Sequence, residues 1–357
     1  MRFALSEDQV LLQDSLTKAL AELAPLDRVR RFADEGERSA PDIWAGLIEL
    51  GLPGLLIPEE HGGLGLGLVE AALAAQALGR AVAPTPFLGS AVLAPLALMA
   101  AGSREQQARW LPRLAAGAVT AGVAIHEPVA GARDGAGVAA EGGRLNGRTL
   151  FAIGAAGADL LIVADRAGGL HLAQQAEAVE PMSTIDATRR VTEIIFRDTP
   201  AEPLASNRAL ERLRDAAWTM IAADTLGACE AMLEKAVAYA RERRQFGRVI
   251  GSFQAVKHLC AEMAAEIEPT RALVWYAAYA FDHAPDEASL MAAHAKAHTS
   301  EIGRFVARTA TEVHGGIGIT DLLGLHYWFK RIGLNRQLLG GPERVRAIAA
   351  QLQGLAA

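Results

Sequence analysis

The two cysteines are the first side chains to consider, because thiols can form disulfides or bind metal ions. Cys229 and Cys260 lie in apolar stretches with helical character, and neither belongs to a Cys-x-x-Cys pair or has a histidine at ligand spacing. This usage excludes a disulfide framework and argues against a zinc site. We therefore expect two buried thiols in a reducing compartment and no bound metal.

Four other segments combine charged, aromatic and glycine residues in ways that can serve a binding site. They are Gly51–Gly63 (GLPGLLIPEEHGG), Glu127–Asn146 (EPVAGAR, then RLNG), Arg243–Gln254 (RRQFGRVIGSFQ) and Glu312–Thr320 (EVHGGIGIT). The third segment places Arg243, Phe246 and Gln254 at the junction between two long helical stretches. Taken alone, Arg243 belongs with Arg241 and Arg244 to a charge run of the kind that usually faces water.

Length and charge set the class of protein. The 357 residues are too many for one small core and fit two or three domains. The net charge of −6 at pH 7, with dispersed Lys and Arg, argues against nucleic-acid binding. The first residues, MRFALSEDQV, include acids and no apolar signal core, and no apolar run reaches the length of a membrane span. We therefore expect a cytoplasmic, mainly helical protein.

Residues 1–118 are predicted to form a helical domain. Ser6 followed by Gln9 is a capping-box sequence, and leucines then recur at helical spacing from Leu12 to Leu23. The glycines of Pro58–Gly67 leave the backbone unrestrained, so we expect no regular structure there. Further helices are predicted for Ile43–Leu50, Leu68–Ala81, Gly89–Ala101 and Arg104–Leu114.

The remaining chain divides into two further domains. In residues 119–204, the short apolar runs Val119–Ile125, Leu160–Val163 and Val191–Phe196 are separated by Gly, Asp and Pro clusters, which predicts a small antiparallel β-barrel. Residues 205–357 contain long helical stretches joined by short loops, which predicts a four-helix bundle. The predicted helices are Asn207–Arg243, Gln254–His283, Glu287–His314 and Asp321–Leu338, closed by Pro342–Leu355.

In this order, the four segments resemble motifs of the acyl-CoA dehydrogenases, and the resemblance extends over almost the whole chain. That family has the same succession of helical domain, β-barrel and four-helix bundle. The resemblance implies a tetramer that binds FAD, an acyl-CoA thioester as substrate and an electron-transfer acceptor. In the family, a carboxylate removes the proton alpha to the thioester while the flavin accepts a hydride from the beta carbon.

The dinucleotide part of such an FAD site matches the family pattern. The resemblance implies that Arg243 neutralises the pyrophosphate of a neighbouring subunit's FAD and that Phe246 lies against its adenosine half. Gln254 would hydrogen-bond the same moiety. Gly315 and Gly316 would allow close approach of the backbone, because a Cβ there would clash with the cofactor.

The isoalloxazine part departs from the pattern. The Ser and Asp of the family's loop are replaced by Ala132 and Arg133, and the strand sequence Phe151–Ile153 lacks the usual tryptophan and hydroxyl. His126 stands where the family has a threonine. This histidine can donate a hydrogen bond to the flavin, although a polar residue at a strand end is the simpler interpretation.

The catalytic base is missing from both places where the family keeps a glutamate. One position falls on Leu339 or Gly340, and the other falls on Ala217 and Trp218, of which Trp218 can fill part of the acyl pocket. Of the nearby acids, Asp215 points to a different helix face from Ala217, so we interpret it as solvated or capping. Glu343 follows Pro342 at a helix start, where an acid stabilises the helix dipole.

Two hypotheses follow from this pattern. In the first, the chain is a supporting subunit of a heteromeric acyl-CoA dehydrogenase and completes the FAD site of a related chain that keeps the glutamate. Such pairs often act on bulky substrates such as steroid side-chain CoA thioesters, which suggests lipid or steroid catabolism. In the second, the chain is a self-sufficient flavoenzyme, a homotetramer that uses Asp215 or Glu343 as an atypical base, or needs none. We favour the first.

Overall fold

The computed structural model describes residues 4–205 and 209–355. The first part is helical, with the capping box at Ser6 and Gln9 confirmed at the start of the first helix. Pro58–Gly67 is not wholly irregular, because Glu59–His61 forms one 3-10 turn. The helices are α1 (Glu7–Leu23), α2 (Leu26–Asp34), α3 (Pro41–Glu49), α4 (Leu68–Arg80), α5 (Ala94–Ala101, preceded by a π-helical turn at Leu88–Leu93) and α6 (Arg104–Ala115).

The middle part is an eight-stranded sheet with the order β6-β7-β3-β1-β4-β5-β8, in which β2 also pairs with β3. The antiparallel prediction is wrong for one pair, because β1 and β4 run parallel. Both of these strands are buried along their whole length, as parallel strands usually are. The strands are β1 (Ala121–Ala124), β2 (Gly137–Glu141), β3 (Arg144–Ile153), β4 (Leu160–Ala164), β5 (Leu170–Ala173), β6 (Ala178–Pro181), β7 (Val191–Pro200) and β8 (Glu202–Pro203). A short helix, α7 (His126–Ala130), follows β1.

The last part is a bundle of long helices. The predicted start at Asn207 lies outside the described residues, whereas the predicted helix Gln254–His283 is confirmed. Asp321–Leu338 is shorter than predicted, because Gly324 adopts φ +60° and the helix begins after it. The elements are α8 (Ala209–Glu242), β9 (Arg244–Gln245), β10 (Arg248–Val249), α9 (Gln254–His283), α10 (Pro285–His314), α11 (Leu325–Gln337) and α12 (Pro342–Leu352).

Helix α8 forms the centre of the fold. It packs against α4, α9, α10 and α11, so every residue from Asp215 to Cys229 is buried. Small residues permit this crowding: a Cβ on Gly227 would lie 1.9 Å from the carbonyl oxygen of Gln76 on α4. A helix buried on all sides lacks the one-sided apolar stripe that sequence patterns reveal.

The domain borders drawn from the sequence fall in the loop between α6 and β1 and just after β8. Cys229 is buried as expected, but Cys260 is only half-buried. Burial raises the pKa of both thiols. Over residues 4–205 and 209–355, no helix is long and apolar enough to cross a membrane. The same ranges contain no group of three or more His, Cys, Asp or Glu side chains that could hold a metal ion.

Candidate functional site

The two positions that the resemblance assigns to a base lie against each other. Trp218 of α8 is fully buried, and its indole Nε1 donates a hydrogen bond to the carbonyl oxygen of Leu339 at 2.8 Å. Leu339 is also buried and lies in the loop between α11 and α12. Neither an indole nor a leucine side chain can take a proton from a substrate. At both base positions, the groups in this contact therefore cannot act as a catalytic base.

The backbone of that loop explains how the contact forms. Leu339 and Gly340 adopt φ values of +56° and +110°, and the Gly340 amide donates to the carbonyl oxygen of Gln337 at 3.1 Å. A positive φ is unusual for leucine, so the surrounding structure must hold it. The Trp218 indole provides one such restraint. Ala217, the other position on α8, is buried and also lacks an acid.

Asp215 is buried, so its interpretation as a solvated or capping residue is wrong. One carboxylate oxygen accepts a hydrogen bond from the Ser289 hydroxyl on α10, and the other accepts from Arg214 Nε at 2.9 Å. Burial raises the pKa of Asp215, while Arg214 opposes that rise. Its oxygens therefore serve a contact between α8 and α10, whereas Trp218 reaches the loop after α11.

Glu343 lies exposed in the first turn of α12. A hydrogen bond from its own backbone N–H, together with the neighbouring Arg336, lowers the pKa of its carboxyl group. Arg336 donates to its carboxylate at 3.3 Å, and Arg346 lies 3.9 Å away. These contacts are those of an acid at a helix start, as the sequence suggests.

His126 is the unusual residue of the β-domain. It begins α7, two residues after the end of β1, and its side chain is buried. Its ring lies 4.7 Å from that of Phe151, and neither ring nitrogen has a hydrogen-bond partner among the described residues. Burial, with the charges of Arg133 and Arg344, lowers the pKa of His126 to about 4. At neutral pH the ring thus offers one free donor and one free acceptor.

Glu127 fixes this histidine in place, a role that the sequence reasoning missed. Its carboxylate accepts hydrogen bonds from the Thr149 hydroxyl at 2.6 Å and from the Leu150 amide at 2.7 Å. Both partners belong to β3, which also carries Phe151. The Glu-Pro motif thereby ties α7 to the strand that packs against His126. The dipeptide Glu127-Pro128 was the signal available in the sequence.

Two arginines surround the same loop. Arg344 of α12 donates to the carbonyl oxygen of Val129 at 3.0 Å, and Arg133 follows the loop at Gly131. Both lower the pKa of His126 through their positive charge. The sequence showed only that Arg133 replaces an acid. The structure adds a second arginine, from a helix more than two hundred residues away, so the loop carries a positive field suited to an anionic group.

The residues assigned to the dinucleotide part gather at one end of the bundle. Antiparallel helices bring the end of α8 and the start of α9 beside the end of α10, where Tyr239 stacks on His314 with ring centres 4.8 Å apart. Arg243, Gln254, Gly315 and Gly316 are all exposed there, together with Phe246. Sequence positions about seventy residues apart are thus united by topology.

Phe246 is 92% exposed, which is unusual for so large an apolar side chain. It sits at the tip of the β9–β10 hairpin with φ +52° and meets the edge of the Phe253 ring at 6.1 Å. Arg248 stacks on the other ring, Phe253, at 4.0 Å. A strained, projecting phenylalanine is held by its own hairpin and is available to a group outside the chain.

Gly315 adopts φ +64°, a conformation that favours glycine. A Cβ on Gly315 or Gly316 would meet no atom within 4 Å among the described residues. The space beside these two glycines is therefore open. Gln254, on the neighbouring helix start, has its amide nitrogen 3.4 Å from His258. The end of the bundle is an open surface of glycine, amide, guanidinium and aromatic groups.

Comparison with known proteins gives a consistent result. Residues 6–118 match the model for the acyl-CoA dehydrogenase N-terminal domain, and residues 207–352 match that for the C-terminal domain. The chain is 33% identical to acyl-CoA dehydrogenase IpdE2 of Mycolicibacterium smegmatis, over 98% of this chain and 100% of that protein.

Solved structures agree with the sequence matches. A chain in a variant of the Tcur3481–Tcur3483 steroid ACAD is 30% identical with a TM-score of 0.88, over 98% of both chains. A chain of the ChsE4–ChsE5 complex from Mycobacterium tuberculosis is 27% identical with a TM-score of 0.90, over the full length of both chains. This protein therefore belongs to the acyl-CoA dehydrogenase family.

Proposed function

We propose that this chain is the supporting subunit of a heteromeric acyl-CoA dehydrogenase. The observation that carries the proposal is the hydrogen bond between Trp218 and Leu339, which joins two positions where a base is expected and leaves no carboxylate at either. Removal of a general base costs about 10²–10⁴ in rate. A chain with this arrangement needs a partner that supplies the proton acceptor.

FAD is the cofactor that fits the remaining residues. Its role when bound is to accept the hydride from the acyl-CoA substrate. At the end of the bundle, the exposed Phe246 and the open space beside Gly315 and Gly316 suit an adenosine moiety from outside the chain. In the β-domain, the unpartnered nitrogens of His126 suit the polar edge of a ring. Among the described residues, the His126 nitrogens have no hydrogen-bond partner and the Phe246 ring is left largely uncovered.

Each residue then has a defined task. Arg243 neutralises the pyrophosphate of the partner's cofactor, Phe246 covers the adenosine, and Gln254 hydrogen-bonds it. The names of the Tcur3481–Tcur3483 and ChsE4–ChsE5 complexes, each formed from two different gene products, support a paired assembly. The steroid substrate named for the first complex supports a bulky lipid or steroid acyl-CoA here.

Flavin content tests the proposal. The chain is purified alone and then co-expressed with a related acyl-CoA dehydrogenase that retains the glutamate, and the visible spectrum of each product is recorded. We expect little flavin and no dehydrogenation by the isolated chain, and a stable complex with substoichiometric flavin per chain. A homotetramer with one flavin per chain and its own acyl-CoA turnover would contradict the supporting role.

One observation favours the alternative of a self-sufficient enzyme. Asp215 is a buried carboxyl group with a raised pKa, three residues from Trp218 on α8. A base of this kind would have to leave Ser289 and Arg214 to reach a substrate. If the isolated chain is active, Asp215→Asn should abolish proton abstraction while acyl-CoA binding remains. The same substitution should leave the turnover of a heteromeric complex unchanged.

A further inference from the structure

A cavity of about 250 Å³ lies where the N-terminal helices, the β-domain and α8 meet. Part of its lining is apolar or aromatic, formed by Phe32, Trp44, Phe87, Met220 and Ile221. The volume suits a compact molecule or the end of a larger one, since sites for drug-sized ligands are about 300–1,000 Å³. We call it the arginine cavity because four arginines also line it.

Arg38, Arg189, Arg190 and Arg331 also line the cavity, and Asp224 is the only acid among its described lining residues. Arg331 donates to both oxygens of Asp224, at 3.1 and 2.9 Å, and Arg189 donates to the same carboxylate at 3.0 Å. One carboxylate is thus shared by two buried guanidinium groups.

Two more acids lie close by: Glu37 is paired, whereas one carboxylate oxygen of Asp186 is buried without a hydrogen-bond partner among the described residues. Asp186 accepts hydrogen bonds from the amide and hydroxyl of Thr188, and Glu37 forms a bidentate pair with Arg28. Asp186 balances part of the charge of the buried arginines. Arg38 and Arg190 remain in excess, so the wall is net positive.

Arg190 is the critical side chain. Its nitrogens donate to the carbonyl oxygens of Glu37, Ala187 and Phe32 at 2.8–3.0 Å, and its guanidinium stacks on the Phe32 ring at 4.6 Å. It forms no ion pair with an acid in the described part of the chain. A guanidinium has five N–H donors, so two remain beyond these three hydrogen bonds, and the half-buried charge is attracted only from a longer distance by Asp186 and Glu37.

Trp44 adds a neutral donor to the same cavity. It is 6% exposed, and its indole N–H has no hydrogen-bond partner within the described ranges. Leaving the buried indole donor unpaired is unfavourable, and the half-buried Arg190 charge would gain from a close anionic partner. An anion with acceptor oxygens would pair with the Arg190 charge and would also accept the hydrogen bond of the Trp44 indole.

We propose that the arginine cavity binds an organic carboxylate with a compact apolar body. The carboxylate pairs with Arg190 and Arg38 and accepts from Trp44, while the body lies against Phe87 and Met220. A paired, hydrogen-bonded carboxylate is stable in such a place, whereas a purely inorganic anion leaves the aromatic wall uncovered. Ile153, from the strand that the resemblance assigns to the isoalloxazine part, also lines the cavity, so this site adjoins the one proposed for FAD.

Calorimetric titration of the full chain, alone or in its complex, tests the proposal. The probes are cyclohexanecarboxylate, the neutral cyclohexylmethanol and inorganic phosphate. We expect saturable binding of the carboxylate at one site per chain, with the alcohol and phosphate at least about tenfold weaker, as the loss of a charge-assisted hydrogen bond predicts. Equal binding of the alcohol, or no carboxylate binding at millimolar concentration, would overturn it.

Substitutions locate the site. Arg190→Gln should weaken carboxylate binding by about thirtyfold, and the solvent-exposed Arg38→Gln by about threefold. Arg31→Gln is the matched control, because Arg31 is an exposed arginine of the same region that does not line the cavity. Since Arg190 also holds backbone carbonyls, Arg38→Gln and Trp44→Phe provide the test if Arg190→Gln does not fold. Unchanged affinity in both of these variants contradicts the assignment.

A matched pair of thioesters identifies the source of the carboxylate. Adipoyl-CoA and hexanoyl-CoA have the same acyl length and differ in the terminal carboxylate. Displacement of cyclohexanecarboxylate by adipoyl-CoA alone supports a carboxylate borne by an acyl group, and displacement by neither supports a free acid. Equal displacement by hexanoyl-CoA would show that the charge is not recognised and would overturn the proposal.

Discussion

Two ends of the same helix differ in what they offer. Near its start, α8 carries Trp218, which is fully buried and bonded to Leu339 within the chain. Just beyond its end, Arg243 and Phe246 are exposed, and Arg243 forms no ion pair within the described part of the chain. The first region is closed by a contact within the chain, whereas the second is exposed and, under the proposed function, would be covered by the partner's cofactor. The contrast distinguishes the region around Trp218, where catalysis would take place, from the region around Arg243 and Phe246, which would contact another subunit.

Side-chain truncation in the buried region around Trp218 should lower the free energy of unfolding more than truncation in the exposed region. Trp218→Ala removes a large buried side chain and the donor to Leu339, so we expect the free energy of unfolding to fall by about 3–5 kcal/mol. Chemical denaturation measures this loss. Trp218→Phe keeps most of the volume and should cost about 1 kcal/mol through the hydrogen bond alone. A gain of dehydrogenase activity in Trp218→Ala would break the comparison, because it would mean that the indole conceals a working site.

The open region should respond in cofactor binding and not in stability. Arg243→Ala removes the charge assigned to the pyrophosphate, and we expect flavin affinity in the complex to fall about ten- to a hundredfold. Flavin retention during gel filtration, read from the visible spectrum, measures it. Arg241→Ala is the control, since Arg241 is an exposed arginine on the last turn of α8. Equal flavin loss in both variants would indicate that Arg243 acts only as one of several surface charges and not as a specific ligand of the pyrophosphate.

Phe246 sharpens the same comparison with a smaller effect. Phe246→Ala should weaken flavin binding by about tenfold, as loss of stacking on an adenine ring predicts. Its unfolding free energy should stay within about 0.5 kcal/mol of the parent, because the side chain is exposed. Phe329→Ala, at another exposed phenylalanine, should change neither quantity. A loss of stability without a change in flavin binding would indicate a structural role in the hairpin.

His126 gives the mildest effect, a dependence of stability on pH. Its pKa is lowered from 6.5 to about 4 in the folded chain. Below pH 6.5 the unfolded chain takes up a proton that the folded chain does not, so the free energy of unfolding should fall between pH 6.5 and about 4. The difference between the parent and His126→Gln, followed by thermal unfolding across that range, isolates this contribution. A constant difference would show that the pKa of His126 is the same in the folded and the unfolded chain.

Local patterns in the sequence were sufficient to predict where part of the candidate site lies. Arg243, Phe246 and Gln254 lie within twelve residues at a helix junction, and helical periodicity on both sides places that junction at a bundle end. The boundaries of α9 follow from the same periodicity. Asp215 was misplaced because α8 is buried on every side, so its position along the helix does not reveal which neighbour it meets.

The sequence by itself determined the family, the order of the three structural parts and the absence of an acid at Leu339 and Trp218. Only the tertiary structure decided that these two positions meet, since they are 121 residues apart in the chain. The same holds for Arg331 and Asp224, which are 107 residues apart. The spacing of residues along a helix or strand is written in the sequence, whereas contacts between distant segments depend on how whole elements pack.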